Sequence, residues 1–374
     1  MAKLLMDVAI PDPKTLLLGV FTPQNKCADK QAYFDEFASL VETRGFEYDM
    51  SFFVTLRSVD KGFLLTRGKL EELVKLCDDN NIERVLCSER LTPLQHRELE
   101  DITRTVVVDR AELILEIFKR SATTAEGQLQ IEMAELELFK SRLSGQGAEF
   151  AQQAGYVGGK GPGETYKEKI KRILADKIRK ANERLDHLQK VRDTQRKQRL
   201  ASNIPLVCIV GYTNAGKSSL LNTLTKSDVL VEDKLFATLD TTTREWFLDS
   251  ATKVLVSDTV GFISELPHKL IEAFKSTLDE ARYANYLLHV VDLSNPGWKD
   301  QIRVVQETLT DIGVKPETPM IYLFNKIDKL ADEELSVLKL EAEAYLPSFF
   351  ISAKDKNTLK ELSEFLINTI QKKK

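Results

Sequence analysis

The residues best placed to do chemistry lie at 211–218, where Gly211-Tyr212-Thr213-Asn214-Ala215-Gly216-Lys217-Ser218 follows directly on the apolar run Leu206-Val207-Cys208-Ile209-Val210. Ser219-Leu220-Leu221-Asn222-Thr223-Leu224 comes next, so a G-x-x-x-x-G-K-S spacing stands between a strand and a helix. Such a loop grips phosphate. Its glycines let backbone N–H groups turn inward, and the helix start adds the positive end of its dipole. Lys217 can reach the β- and γ-phosphates of a nucleotide, and the Ser218 hydroxyl can ligate Mg²⁺.

A phosphate loop leaves the base open. After the strand Pro319-Met320-Ile321-Tyr322-Leu323-Phe324 comes Asn325-Lys326-Ile327-Asp328, whose last carboxylate can accept both the N1–H and the 2-amino group of guanine. Adenine lacks that amino group and has a lone pair at N1, a polar mismatch that discriminates strongly. GTP is therefore the expected nucleotide. The strand Lys253-Val254-Leu255-Val256-Ser257 delivers Asp258-Thr259-Val260-Gly261 to the same edge. Asp258 can hold Mg²⁺ through water, and the Gly261 N–H can sense the γ-phosphate, making the loop that follows a switch. In Phe236-Ala237-Thr238-Leu239-Asp240-Thr241-Thr242-Thr243-Arg244, four threonines compete to complete the Mg²⁺ shell. A last strand, Ser348-Phe349-Phe350-Ile351, presents Ser352-Ala353-Lys354, whose backbone can contact the base O6.

These loops need an open α/β sheet behind them, and the chain has room for more. At 374 residues it holds two or three domains. Before the phosphate loop, short apolar runs at Leu16–Phe21, Phe52–Leu56, Arg84–Cys87 and Thr105–Val108 alternate with helical spacing at Tyr33–Val41, Lys69–Cys77 and Leu94–Asp101. That alternation predicts a first α/β domain with a largely parallel sheet. A helix is expected from Glu112 to Leu143, interrupted near Thr123 to Gly127. Gly155-Tyr156-Val157-Gly158-Gly159-Lys160-Gly161-Pro162-Gly163 reads as a loop, either a linker or a backbone-rich approach to a phosphate or RNA surface. Beyond it, Ile170, Leu174, Ile178, Ala181, Leu185 and Leu188 form the narrow seam of a long coiled-coil-like helix. The expected division is 1–143, 144–200 and 201–374.

Charge is unevenly spread. The chain carries −4 overall, yet residues 160–199 carry +8, leaving −12 elsewhere. A solvated helix face explains that charge as well as phosphate contact does. Cys27, Cys77, Cys87 and Cys208 form no C-x-x-C pair, so a zinc ribbon or a secreted disulfide framework is not expected. His96, His187, His268 and His289 share no metal-ligand spacing. Trp246 and Trp298 read as packing residues. The start fails as a signal peptide, and no apolar run approaches the ~18–20 residues of a membrane helix. Cytoplasm is the expected location. Peripheral contact of the basic helix with anionic lipid ranks below RNA contact.

Together the five loop segments resemble the motifs of translation-factor-type GTPases, and Gly211–Ser218 with Phe236-Ala237-Thr238-Leu239-Asp240 resembles the HflX family closely. Glu126-Gly127-Gln128-Leu129-Gln130-Ile131-Glu132 and Gly158-Gly159-Lys160-Gly161-Pro162-Gly163-Glu164-Thr165 are similar to that family's N-terminal signature. The resemblance implies a Ras-like P-loop GTPase domain behind the α/β domain and the basic helix, and it makes Thr238 the switch I Mg²⁺ ligand beside Ser218. It implies a monomer that binds the large ribosomal subunit, through the N-terminal domain and basic helix, and dissociates stalled ribosomes under stress. An assembly GTPase for immature large subunits is the alternative, and an RNA-binding scaffold with GTP as a structural ligand is another. Phe262 stands where many signalling GTPases place a water-orienting glutamine, so intrinsic hydrolysis is expected to be slow and ribosome-stimulated. In related GTPases an asparagine at the place of Asn214 binds K⁺, making K⁺ a second candidate cation. The helix Asn357–Gln371 is expected to complete the last domain, without the extra C-terminal domain of some relatives. With no second phosphate loop in 1–200, the use of ATP by some relatives is not carried over.

Overall fold

The structure is a computed structural model that describes residues 12–25, 27, 29–145, 166–201, 204–225, 235–236, 242–250, 252–265 and 275–372. The chain forms two compact units, the first reaching Ile114 apart from residues 26–29, the second starting at Leu115.

In the first unit, β1 (Thr15–Phe21), β2 (Met50–Thr55), β3 (Arg84–Cys87) and β4 (Val106–Val108) form a sheet of order β2-β1-β3-β4. Every pairing is parallel, as the alternation with helices requires. Successive β1 residues face opposite layers. Leu16, Leu18 and Val20 pack with Leu70, Leu73 and Cys77 of α2 (Arg67–Asn80) and Leu99 of α3 (Pro93–Thr103). α1 (Lys30–Arg44) buries Tyr33, Phe34, Phe37, Leu40 and Val41. Thr92 caps α3 with a reciprocal box, its side chain accepting from the Gln95 N–H at 3.2 Å.

α4 (Arg110–Ser121) and α5 (Ala125–Gly145) are the two halves of the expected helix, broken where the sequence predicts. The interruption lies where Thr124 Oγ1 accepts from the Gly127 N–H at 3.1 Å, starting a new helix. The glycine-rich stretch 155–163 lies outside the described residues. α6 (Tyr166–Ala201) is one continuous helix paired with α5. Leu174 and Ala181 of its seam are buried, with Ile170, Ile178, Leu185 and Leu188 half-buried.

The remaining strands are β5 (Leu206–Gly211), β6 (Thr243–Phe247), β7 (Lys253–Asp258), β8 (Tyr286–Asp292), β9 (Met320–Asn325) and β10 (Ser348–Phe350), in the order β10-β9-β8-β5-β7-β6. Only β6, at the edge, runs antiparallel, pairing Thr243–Phe247 with Ser257–Lys253. Alternate residues of the central strands serve opposite faces. Val207, Ile209, Leu288, Val290, Ile321 and Leu323 pack with α7 (Lys217–Thr225) and α11 (Lys360–Gln371). Val291, Tyr322 and Phe324 pack with Trp298 and Ile302 of α9 (Trp298–Asp311). α8 (Lys275–Arg282) and α10 (Asp332–Glu341) complete the helical layers. Both faces are covered, so the strands read as continuous apolar runs. Trp246 and Trp298 are buried.

Candidate nucleotide-binding site

The parallel strands β5, β7, β8 and β9 end at one sheet edge, and the loops beyond β5, β7 and β9 meet there. Gly211 closes β5 at φ +155°, and a Cβ there would stand 2.3 Å from the Val290 carbonyl oxygen on β8. Only glycine lets the loop leave so close to its neighbour. Gly216 has φ +95° and its would-be Cβ lies 2.3 Å from Asn325 Nδ2. Between them Asn214 turns at φ +58° with its side chain exposed. Ala215 is fully buried, and α7 then starts with Lys217 and Ser218.

Lys217 is almost wholly buried and donates from Nζ to the Tyr212 carbonyl at 2.7 Å. Burial lowers its pKa to about 8, Lys326 pushes the same way, and the Asp258 carboxylate opposes both. One step along, Ser218 Oγ donates to Asp258 Oδ2 at 2.8 Å. Asp258 is completely buried, and its Oδ1 accepts the Thr259 N–H at 2.9 Å. Thr259 Oγ1 in turn donates to the Ile209 carbonyl at 2.8 Å, pinning the β7 end to β5. Hard hydroxyl and carboxylate oxygens side by side fit Mg²⁺, whose chemistry demands oxygen donors.

Gly261 lies against this group. A Cβ there would be 2.8 Å from Thr213 Cγ2 and 3.0 Å from Lys217 Nζ. Val260 is buried beside it and Phe262 is 4% exposed, its ring directed into the protein.

On the other side, Asn325 is 2% exposed and ties two loops together: Nδ2 donates to the Ala215 carbonyl and Oδ1 accepts the Ala353 N–H, both at 2.8 Å. Lys326 takes a left-handed turn at φ +65° and pairs with Asp292 at 2.8 Å. After Ile327, the exposed Asp328 accepts from Ser352 Oγ at 2.7 Å. That hydroxyl holds the carboxyl below its usual range. Thr223 of α7 donates to the Ala353 carbonyl at 2.5 Å, fixing the last loop against the first helix; Lys354 is exposed beyond it.

The structure thus brings together 211–218, Asp258 to Gly261, Asn325 to Asp328 and Ser352 to Lys354. Ala237, Thr238, Leu239 and Asp240, with Thr241, lie outside the described residues. Of the competing threonines, Thr243 belongs to β6 and donates to Ser257 Oγ at 3.3 Å. Phe236 has its ring buried edge-on against Phe118 of α4, centroids 4.5 Å apart. Several groups near the loop carried no signal in the sequence. His289, on β8 between Val210 and Tyr322, is buried with Nδ1 unpartnered, and burial, aided by Lys217, lowers its pKa to about 3. The Tyr212 phenol reaches Ser264, 52 positions away.

Comparison with known proteins agrees with this geometry. A family profile described as "50S ribosome-binding GTPase" matches residues 206–326. "GTP-binding GTPase N-terminal" matches 31–119, and "GTP-binding GTPase Middle Region" matches 121–199. GTPase HflX of Caldanaerobacter subterraneus subsp. tengcongensis is 44% identical over 82% of this chain and 70% of its own. GTPase HflX of Lacrimispora saccharolytica is 39% identical over 99% and 86%, and that of Escherichia coli 37% over 86% and 74%. Among solved structures, the complex of SsGBP with GDP is similar at 26% identity and a TM-score of 0.50, covering 96% of this chain and 99% of that one. Identity at this level, sustained along most of each relative, places the chain in the GTPase HflX family, as an enzyme that hydrolyses GTP.

Proposed function

We propose that this GTPase acts as a switch on the large ribosomal subunit, using GTP binding and hydrolysis to dissociate or rescue stalled ribosomes during stress. The observation that carries the nucleotide half is the convergence of Lys217, Ser218–Asp258 and Asn325–Ala353 at one strand edge, with Asp328 beside it. The ribosomal half is supported by the description of the matching profile and by the +8 charge of residues 160–199. In this reading 201–374 bind nucleotide, while 1–143 and 144–200 face ribosomal RNA.

Each residue then has a task. The backbone N–H groups of 211–218 cradle the phosphates, Lys217 neutralises charge developing on them, and Asp328 reads guanine. Ser218 and Thr238 would hold Mg²⁺, with Asp258 aligning Ser218, and the ion would supply neutralisation of phosphate charge. Gly261 contacts the γ-phosphate through its N–H. Asn214 offers its side-chain oxygen to K⁺. Phe262 can neither align water nor accept its proton, so turnover on the free protein is slow, and ribosome docking supplies the missing order. Buried thiols at Cys77, Cys87 and Cys208, all unpaired, suit a reducing cytoplasm; no helix among the described residues is long and apolar enough to cross a membrane.

Steady-state phosphate release from GTP and from ATP, with and without large subunits, in potassium and in sodium, tests this reading. Stimulation by large subunits and by K⁺, for GTP alone, is expected. Equal turnover with and without subunits refutes the ribosomal switch; equal turnover in the two salts refutes the K⁺ role. Sedimentation of intact ribosomes with GTP then separates splitting, which frees subunits, from an assembly role, which does not. Affinity without turnover even on ribosomes marks a scaffold.

A further inference from the structure

The second position of the phosphate loop requires only backbone, yet it carries a tyrosine whose side chain is engaged elsewhere. Tyr212 is 5% exposed. Its hydroxyl donates to Ser264 Oγ at 2.7 Å and accepts the Ser264 backbone N–H at 2.6 Å. Alongside, the Thr213 N–H donates to the Phe262 carbonyl at 2.7 Å and the Phe262 N–H to the Gly211 carbonyl at 3.1 Å. The two segments therefore meet in one parallel bridge, with Tyr212 opposite Phe262, and the phenol reaches two residues further to Ser264. Gly261 is the residue just before this bridge, packed on Thr213 and Lys217. The carbonyl of the same tyrosine holds Lys217 Nζ. One residue thus connects the buried lysine to the segment after Asp258.

We propose that Tyr212 is a positioning residue that clamps Phe262–Ser264 onto the phosphate loop and so fixes the Gly261 N–H for the third phosphate of GTP, giving the site part of its preference for GTP over GDP. The proposal rests on Gly261 being the γ-phosphate contact. Two backbone bonds alone oppose the ordering entropy of three loop residues weakly, and the buried phenol contributes two more to the half-buried Ser264. Because GDP has no group for Gly261 to meet, releasing the clamp costs GTP and spares GDP.

The test measures dissociation of fluorescent GDP and of a fluorescent non-hydrolysable GTP analogue from the full chain. Tyr212→Phe keeps the ring and removes both hydroxyl bonds. It is expected to speed analogue release about tenfold, within the range of one to two lost hydrogen bonds, while GDP release changes less than about twofold. Ser264→Ala, which keeps the N–H bond, is expected to fall between wild type and Y212F, and the double variant to match Y212F. Equal weakening of both nucleotides by Y212F, or no change in either, overturns the clamp. Gly261→Ala separates the premises: lost GTP preference in G261A with preference intact in Y212F sinks the clamp alone, whereas intact preference in G261A sinks the γ-phosphate reading and the clamp with it.

Discussion

Replacing Asn325 with alanine removes a side chain that joins the phosphate loop to the loop after β10, and its cost can be worked from the geometry. The amide gives up two hydrogen bonds of 2.8 Å, to the Ala215 carbonyl and from the Ala353 N–H. Both partners are in buried residues, at 0% and 5% exposure. A buried group left without its partner costs about 1–3 kcal/mol, so the pair predicts a loss of about 2–6 kcal/mol. A water entering the vacated space moves the result toward the lower end, since one molecule can satisfy both groups. Both tryptophans of the chain, Trp246 and Trp298, are buried in the second unit, so their fluorescence follows this region during denaturant unfolding. The midpoint should fall with the slope unchanged. A second arm uses Gly216, whose Cβ would collide with the Asn325 amide. Part of the Gly216→Ala penalty should therefore vanish in the N325A background, an interaction that a double-mutant cycle reads directly. A loss below about 1 kcal/mol, or a G216A penalty identical in both backgrounds, refutes the brace.

Other consequences follow from charge. Burial lowers Lys217 to about 8, and nucleotide phosphates favour its charged form, so binding takes up a proton once the pH passes 8. GTP affinity should then fall by up to about tenfold per pH unit above that point, with calorimetric proton uptake that is absent in Lys217→Met; flat affinity from pH 7.5 to 9.5 contradicts it. Asp328→Asn replaces one acceptor with a donor, which suits a carbonyl at purine C2. The variant should prefer xanthosine over guanosine nucleotides in competition binding, and unaltered guanine preference removes Asp328 as the base reader. His289 is held neutral, its pKa lowered to about 3, so the unfolded chain binds its proton first as the pH drops. The stability that this neutrality secures is complete above pH ~6.5 and declines below it by up to about 1.4 kcal/mol per pH unit. His289→Phe should flatten that acid limb in urea titrations between pH 6.5 and 4.5; an unchanged limb shows that His289 is not its source.

How much of this was legible beforehand depends on how far apart the partners are. The phosphate loop was legible because strand, turn and helix are contiguous: apolar β5, glycines at 211 and 216, and α7 follow within twenty residues of sequence. The Asn325-Lys326-Ile327-Asp328 turn was legible for the same reason. β6 was not. Its polar start, Thr243, Arg244 and Glu245, leaves only Trp246 and Phe247 apolar, too short a run to read as a strand without the free edge that β7 offers for antiparallel pairing. Asn325 stands in the guanine motif with no task of its own legible in the sequence, while its side chain faces Ala215 and Ala353, 110 and 28 positions away.

What the sequence determined by itself is the menu of elements: parallel α/β units, a broken helix before a basic one, and a loop chemistry suited to phosphate and guanine. Those properties arise from periodicity and from residues adjacent in the chain. The tertiary structure alone decided the strand order, the burial of Phe236 on Phe118, the neutral His289 under the loop and the bond from Tyr212 to Ser264. Each depends on desolvation and hydrogen-bond partners that come together only when distant strands close on one another, and such meetings leave no local pattern to read.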